Sequence, residues 1–213
     1  MKKTPSSLRM KLSGYKRRYL QWRVVALQKT RQDYAFIHIP KCGGTSLISA
    51  IGQKTKLHDT AEERQDKLGA TRWNEIYTFS ITRHPYERAI SMYGFSKKTH
   101  YAVDRVGELD LNDWILATLR DKWKDRIFAS RRLAPCKTWV SEKKGNIIVN
   151  DTFKLEEIDL AWPVIQQRTG RQGHLARLNA SNSGLGRGDL TPSAKRAIQD
   201  HFASDFETFG YET

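Results

Sequence analysis

The feature that most constrains the fold is a short apolar segment followed by a Gly-Gly bend. Residues 34–39 read YAFIHI, a run typical of a buried strand, and a proline follows directly. Gly43 and Gly44 predict a turn. A helix then begins at Gly44 or Thr45 and extends to about Ile51. A strand that leads through a tight turn into a helix is typical of α/β folds.

Strand and helix signals alternate along the rest of the chain. Further strands are expected at residues 76–82 and 147–149, and further helices at about 60–68, 85–97, 111–120, 155–168 and 191–202. Thr60 and Glu63 have the form of a capping box. The alternation predicts a three-layer α/β fold, in which helices cover both faces of a mostly parallel sheet.

The positive charge is concentrated near the start of the chain. Lys and Arg number 37 and Asp and Glu number 23, a net charge of +14. Ten of the bases precede Asp33, the first acid, so the remainder carries 27 against 23, or +4. This asymmetry predicts a basic N-terminal arm, residues 1–32, and a single domain, residues 33–213.

The arm is suited to an anionic partner, such as nucleic acid, acidic lipid or a polyanionic glycan. A solvated terminus without a specific partner is the competing interpretation. Residues 19–27 (YLQWRVVAL) predict an amphipathic helix with a basic face. Docking on the domain is the preferred interpretation of this helix, and peripheral contact with a membrane is the other.

Composition predicts a cytoplasmic protein. No stretch approaches the roughly 20 apolar residues of a membrane span, and residues 19–27 lack the cleavage site of a signal peptide. Cys42 and Cys136 make no disulfide framework, which fits a reducing compartment. The six histidines are scattered, so no metal site is expected.

The Gly-Gly bend carries the residues of a phosphate-binding loop. Lys41 precedes the two glycines, and the hydroxyls of Thr45 and Ser46 follow them. Bare glycines let backbone N–H groups approach an anion at the start of a helix. The loop is P-loop-like but not a Walker A sequence, in which the lysine follows the second glycine.

A second anion-binding group is expected where the next strand ends. Arg83 leaves that strand, and Ser91 lies two helical turns further on. Ligands gather at the carboxyl ends of strands in open α/β sheets, and an arginine fork suits a phosphate. An ordinary salt bridge of Arg83 is the alternative. Arg88 faces another side of the helix, which predicts a surface or inter-element ion pair.

Together the two segments resemble those of the PAPS-dependent sulfotransferases (PAPS is 3'-phosphoadenosine-5'-phosphosulfate), in particular the heparan and chondroitin carbohydrate enzymes and their bacterial relatives. That family carries Pro-Lys-x-Gly-Gly-Thr-Ser after a strand and Arg-x-Pro-x-x-Arg-x-x-Ser after the next. Both patterns occur here in that order. The resemblance extends through residues 58–61, 178–181 and 205–211, and implies a sulfotransferase fold.

The resemblance implies a role for each matching position. Residues of the loop would hold the 5'-phosphosulfate of PAPS: Lys41, Cys42, Gly43, Gly44, Thr45 and Ser46. Cys42 stands where threonine is commoner and would act through its backbone. Arg83 and Ser91 would hold the 3'-phosphate, and the loop near Asn179 and Ser181 would close over the cofactor. The last two could equally form a turn that bonds its own backbone.

Catalysis is expected to be an in-line displacement without a metal, with PAP as the product and Lys41 beside the leaving oxygen. His58 is the preferred general base because histidine titrates near neutral pH. His100 or a carboxylate is the alternative. His38 is interpreted as a satisfied histidine of a buried strand, whereas His84 could touch the nucleotide.

The resemblance implies a hydroxyl acceptor, and a glycan or polysaccharide is the preferred interpretation. A lipid, a small glycoside and a peptide tyrosine remain open. A nucleotide kinase or other P-loop NTPase is the enzymatic alternative, although its Walker A loop is missing. A nucleic-acid-binding protein is the non-enzymatic alternative, but no recognition motif for a specific nucleic acid is found.

Overall fold

The structure is a computed structural model that describes residues 6–99, 108–120, 131–176 and 184–213. The strands are β1 Tyr34–Ile37, β2 Tyr77–Thr82 and β3 Asp151–Lys154. The helices are α1 Ser6–Thr30, α2 Gly44–Ala50, α3 Ala61–Leu68, α4 Ala70–Glu75, α5 Pro85–Thr99, α6 Leu111–Ile115, α7 Cys136–Val140, α8 Ile158–Thr169, α9 Pro192–His201 and α10 Ala203–Phe209. A π-helical turn, Leu116–Arg120, continues α6, and 3₁₀ turns occupy Leu155–Glu157 and Arg187–Asp189.

The three strands form one parallel sheet in the order β1-β2-β3. Tyr34 pairs with Tyr77 across β1 and β2, and Phe79 pairs with Asp151 across β2 and β3. The central strand, β2, has a neighbour on each side and is buried from its second residue onward. The α/β class and the parallel pairing are therefore confirmed.

The third strand is not where the apolar run predicted it. Residues 147–149 were expected to pair, but β3 is Asp151–Lys154. Ile147 forms only an isolated antiparallel bridge with Ser141. In this part of the chain, hydrogen bonding to β2 begins at Asn150. The Asn150 side-chain oxygen accepts hydrogen bonds from the Thr78 backbone N–H at 2.7 Å and from the Thr78 hydroxyl at 2.8 Å. An edge strand needs less apolar surface than a central one, so its polar sequence gave a weak signal.

Two clusters of buried side chains hold these elements together. The first surrounds the sheet and includes Phe36, Phe79 and Trp139. The second lies between α5, α6, α9 and α10 and includes Trp114 and Phe202. The loop after β1 and the start of α5 are thereby fixed between two packed cores.

The N-terminal segment is a helix over a longer range than the sequence predicted. Val24 and Gln28 of α1 are 6% and 0% exposed, so the second half of the helix docks on the domain. The buried Arg64 donates a hydrogen bond to the Gln28 side-chain oxygen at 2.9 Å. No helix in the described part of the chain is long and apolar enough to cross a bilayer.

Candidate functional site

The two predicted anion-binding segments meet at one edge of the sheet. β1 and β2 are parallel neighbours, so the loop after β1 and Arg83 after β2 leave from the same side. The Arg83 guanidinium donates a hydrogen bond to the Lys41 carbonyl at 3.4 Å. Residues separated by 42 positions are thus brought together by strand pairing.

The loop after β1 has an unusual backbone. Lys41 has φ of 69°, the only positive value among described non-glycine residues, and Gly43 has φ of 71°. A left-handed conformation costs a non-glycine residue on the order of 1 kcal/mol, and such strain concentrates at functional sites. A Cβ atom at Gly43 would collide with Leu155, and one at Gly44 would collide with the His38 ring. The left-handed φ favours glycine at position 43, and close packing of the His38 ring favours it at position 44.

Lys41 is a desolvated cation among other cations. Its ammonium nitrogen lies 4.7 Å from the centre of the Phe95 ring. Burial, followed by repulsion from Arg83, Lys56 and Lys98, lowers the pKa of Lys41 to about 8. Within the ranges that the structure describes, no carboxylate forms an ion pair with Lys41. An anion that binds beside Lys41 would therefore stabilise the protonated form of its side chain.

The sequence left open whether Arg83 binds an anion or forms an ordinary salt bridge, and the structure is compatible with both. Its guanidinium lies 3.6 Å from the Glu87 carboxylate, one helical turn ahead in α5. Glu87 also accepts a hydrogen bond from Arg187 at 3.2 Å. The salt bridge of Arg83 is therefore long and shared. An anion could compete for Arg83, because Glu87 would keep Arg187 as its partner.

Thr45, Ser46 and Ser91 lie on the elements that face this loop. Thr45 and Ser46 are half-buried in the first turn of α2. Ser91 is 6% exposed and lies three residues after Arg88 and four before Phe95. Residues at these spacings share one face of a helix. Arg88 and Phe95 both contact the loop, so the face of α5 that carries Ser91 is directed at it.

Arg88 is a structural anchor of the loop: the predicted inter-element ion pair is present with Asp205, but the predicted surface position is wrong. It is 1% exposed. Its guanidinium donates hydrogen bonds to the carbonyls of Pro40 at 3.2 Å, Ala134 at 2.9 Å and Arg132 at 3.0 Å. The Asp205 carboxylate is 4.0 Å away. Arg88 therefore joins the loop to α5 and to the segment before α7 mainly through backbone carbonyls.

The Cys42 side chain is directed into the interior and away from any ligand of the loop. It is 1% exposed, and its Sγ atom lies 3.9 Å from that of Cys136. Both cysteines are free thiols in the structure. The Asp205 carboxylate accepts hydrogen bonds from the backbone of Cys136 at 2.7 Å and Lys137 at 2.9 Å. Only the backbone of Cys42 is therefore available to an anion.

His58 lies one side chain away from the loop. Its ring is stacked on that of His38 at 4.6 Å between centres, and the His38 ring lies against Gly44. Partial desolvation of the ring, followed by repulsion from Arg132, lowers the pKa of His58, while a hydrogen bond to the His38 backbone raises it. The net effect is a neutral imidazole near neutral pH. A neutral imidazole can accept a proton.

The interpretation of His38 as a satisfied strand histidine is wrong in two respects. β1 ends at Ile37, so His38 belongs to the loop. Its Nδ1 atom is buried without a hydrogen-bond partner in the structure. Burial, followed by repulsion from His58 and Lys56, lowers the pKa of His38 to about 3. His38 is therefore a neutral spacer between Gly44 and His58.

His84 gives no support to the site. The His84 Nε2 atom is 3.0 Å from the Glu212 carbonyl oxygen, and its ring packs against Tyr86. His84 is thus engaged with the C-terminal segment. His100, Asn179 and Ser181 lie outside the described residues.

Sequence reasoning missed several side chains around the loop. Phe95 packs on the Lys41 ammonium and also lies 5.7 Å from the Arg132 guanidinium. Lys56 and Lys98 add positive potential. Phe95 was detectable, because it follows Ser91 by one helical turn. The lysines carried no signal that separated them from ordinary surface residues.

Two cavities elsewhere contain none of the predicted site residues. One of about 410 Å³ lies beside Thr82, Lys154 and Phe209, and one of about 360 Å³ lies beside Arg120 and Arg196. Among the described residues, no group of three His, Cys, Asp or Glu side chains could hold a metal ion. Comparison with known proteins found no matching family model, no matching curated protein and no matching solved structure.

Proposed function

We propose that this chain transfers a sulfuryl group from PAPS to a hydroxyl of a carbohydrate acceptor. The observation that carries the proposal is the meeting of Lys41 and Arg83 at the edge shared by two parallel strands. Lys41 is desolvated there and has no carboxylate partner among the described residues. A nucleotide with phosphates at two positions suits two cations on adjacent strand ends.

The residues of the loop fit the phosphosulfate end of PAPS. Gly43 and Gly44 lead into the first turn of α2, where free backbone N–H groups can bind an anion. Lys41 supplies the charge, and the hydroxyls of Thr45 and Ser46 supply further hydrogen bonds. In this proposal the strand, loop and helix form the P-loop-like unit of a three-layer sulfotransferase fold.

The 3'-phosphate end is assigned to Arg83 and Ser91. Arg83 offers a guanidinium fork that is held by the Lys41 carbonyl and only loosely paired with Glu87. Ser91 belongs to the face of α5 that packs on the loop. An arginine fork with a nearby hydroxyl is a common arrangement for binding phosphate.

The transfer step uses His58 and Lys41. PAPS supplies the sulfuryl group: the acceptor oxygen bonds to sulfur as the bond from sulfur to the 5'-phosphate oxygen breaks, and PAP leaves. His58 accepts the proton of the acceptor hydroxyl at its unprotonated ring nitrogen, while its other nitrogen is held by the His38 backbone. Lys41 neutralises the charge that develops on the leaving oxygen.

Transfer of labelled sulfate from PAPS tests this function. The full chain is incubated with labelled PAPS and a panel of polysaccharides, small glycosides and a tyrosine peptide. We expect label in a polysaccharide and stoichiometric release of PAP. Release of phosphate from ATP with Mg²⁺, without any sulfate transfer, would instead favour a P-loop NTPase and reject the proposal.

A further inference from the structure

The outer face of α1 carries a line of exposed aromatic side chains. Tyr15, Tyr19 and Trp22 are 69%, 56% and 66% exposed. Their spacing of four and three residues places them in one row along the helix. The rings of Tyr19 and Trp22 are stacked at 6.2 Å between centres. We call this row the aromatic stripe.

The aromatic stripe points away from the domain. α1 docks through Val24 and Gln28, and Gln21 donates a hydrogen bond to the Lys56 carbonyl at 3.2 Å. At about 100° per residue, Trp22 lies roughly 160° around the helix from Val24. The domain therefore leaves the aromatic stripe uncovered along its length.

Exposed cations border the aromatic stripe on both sides. On a helical projection, Arg18 and Lys29 lie along one side, and Lys16 and Arg23 lie along the other. The Arg23 guanidinium is 5.9 Å from the centre of the Tyr19 ring. The sequence has no acidic residue before Asp33, so nothing in the helix neutralises these cations.

We propose that this face of α1 binds an anionic lipid surface as a peripheral helix. Tyrosine and tryptophan rings are amphipathic and are stable at the level of lipid headgroups. Cations on either side of the rings can contact lipid phosphates while the rings lie between the headgroups. The proposal rests on the exposed face of α1 alone and does not depend on sulfuryl transfer.

Other occupants explain this face less well. A polyanionic glycan or a duplex nucleic acid is bound mainly through its charges, so the row of aromatic side chains would have no role there. A second copy of the chain, paired through the same face, would place four cations against four cations with no acid in either helix. An anionic lipid surface satisfies the rings and the cations together.

Vesicle co-sedimentation of the full chain tests the proposal. The protein is mixed with phosphatidylcholine vesicles, or with vesicles of phosphatidylcholine and phosphatidylglycerol. We expect binding to the anionic vesicles alone, and on the order of tenfold or more weaker binding after the combined change Tyr15→Ser, Tyr19→Ser and Trp22→Ser. Leu160→Ser is the matched control, because Leu160 is 78% exposed on α8.

Folding and competing occupants are checked with the same proteins. The substituted side chains are exposed, so circular dichroism should show an unchanged thermal midpoint. Undiminished vesicle binding by the triple variant would overturn the proposal. It would also be overturned if the wild type bound heparin or duplex DNA but no vesicle. A dimer that the triple variant dissociates, in a protein that ignores vesicles, would equally overturn it.

Discussion

At the scale of single residues, Lys41 combines a left-handed backbone with an unfavourable electrostatic setting. Its φ is 69°, and its pKa is lowered to about 8 by burial and by neighbouring cations. Neither feature improves stability, since one strains the chain and the other disfavours the charge. Both are explained if the ammonium group is held in place for an anion.

The lowered pKa of Lys41 predicts how PAP binding depends on pH. An anion favours the protonated amine, so its affinity is complete below pH 8 and falls as the pH rises through about 8, where free Lys41 loses its proton. Calorimetric titrations of PAP across this range should show that decline and proton uptake above pH 8. In Lys41→Met the decline should disappear, and its persistence would assign the titration to another group.

His58 predicts a separate effect on turnover. His58→Ala should lower kcat for sulfate transfer by about 10² to 10⁴-fold, because the acceptor loses its base, with PAP affinity unchanged. The pKa of His58 is lowered, so the wild-type rate should hold from neutral pH down to the ordinary histidine range and fall below it. His174→Ala is a control on an exposed loop. Full activity in His58→Ala would move the base to another residue.

The sequence predicted which strand ends lie together, but it did not predict the hydrogen-bond partners of individual side chains. Lys41 and Arg83 could be placed together because parallel strands end at one edge. The three backbone carbonyls that bind Arg88 come from loops whose paths no local pattern specifies. The unpaired Nδ1 of His38 likewise depends on tertiary packing.

At the scale of elements, α5 links the candidate site to the second core. Its Phe95 contacts Lys41, its Arg88 binds the loop backbone, and its Ile90 is buried in that core. The position of the loop therefore depends on one helix that starts two residues after Arg83. This arrangement couples the two proposed phosphate sites through a rigid element.

Arg88→Met tests this coupling. Removing the guanidinium leaves three carbonyls without their donor inside the protein, which should lower the free energy of unfolding by about 2–4 kcal/mol. Denaturant unfolding measures the change. Arg187→Met is the control, because its side chain is 45% exposed, and it should shift stability by no more than about 1 kcal/mol. Equal effects of the two changes would contradict the anchoring role.

Elements with strong local signals were predicted well, and several short ones without such signals were not. The helix expected at residues 85–97 is α5, Pro85–Thr99, and the capping box of Thr60 and Glu63 is present at α3. The third strand was misplaced because the apolar run lies outside the sheet. α4 and α7 were missed because six and five residues are too few for a helical period to be visible.

At the scale of the whole molecule, the strand ends form a cationic edge between two packed cores. Lys41 and Arg83 occupy this edge, and Lys56 and Lys98 contribute further positive potential. The α/β class and the parallel sheet followed from the alternation of strands and helices. Which face of α1 points outward could not be predicted from the sequence, because its docked side is determined by contacts with Arg64 and Lys56.

The central claim is that Lys41 and Arg83 bind the two ends of one nucleotide. The most direct measurement is calorimetric titration of adenosine 3',5'-bisphosphate into the wild type, Lys41→Ala, Arg83→Ala and the control Lys54→Ala, which removes an exposed lysine. We predict saturable one-to-one binding by the wild type and Lys54→Ala, and affinities at least about tenfold weaker in the other two. Absence of binding to the folded wild type, or wild-type affinity in Lys41→Ala and Arg83→Ala, would contradict the account.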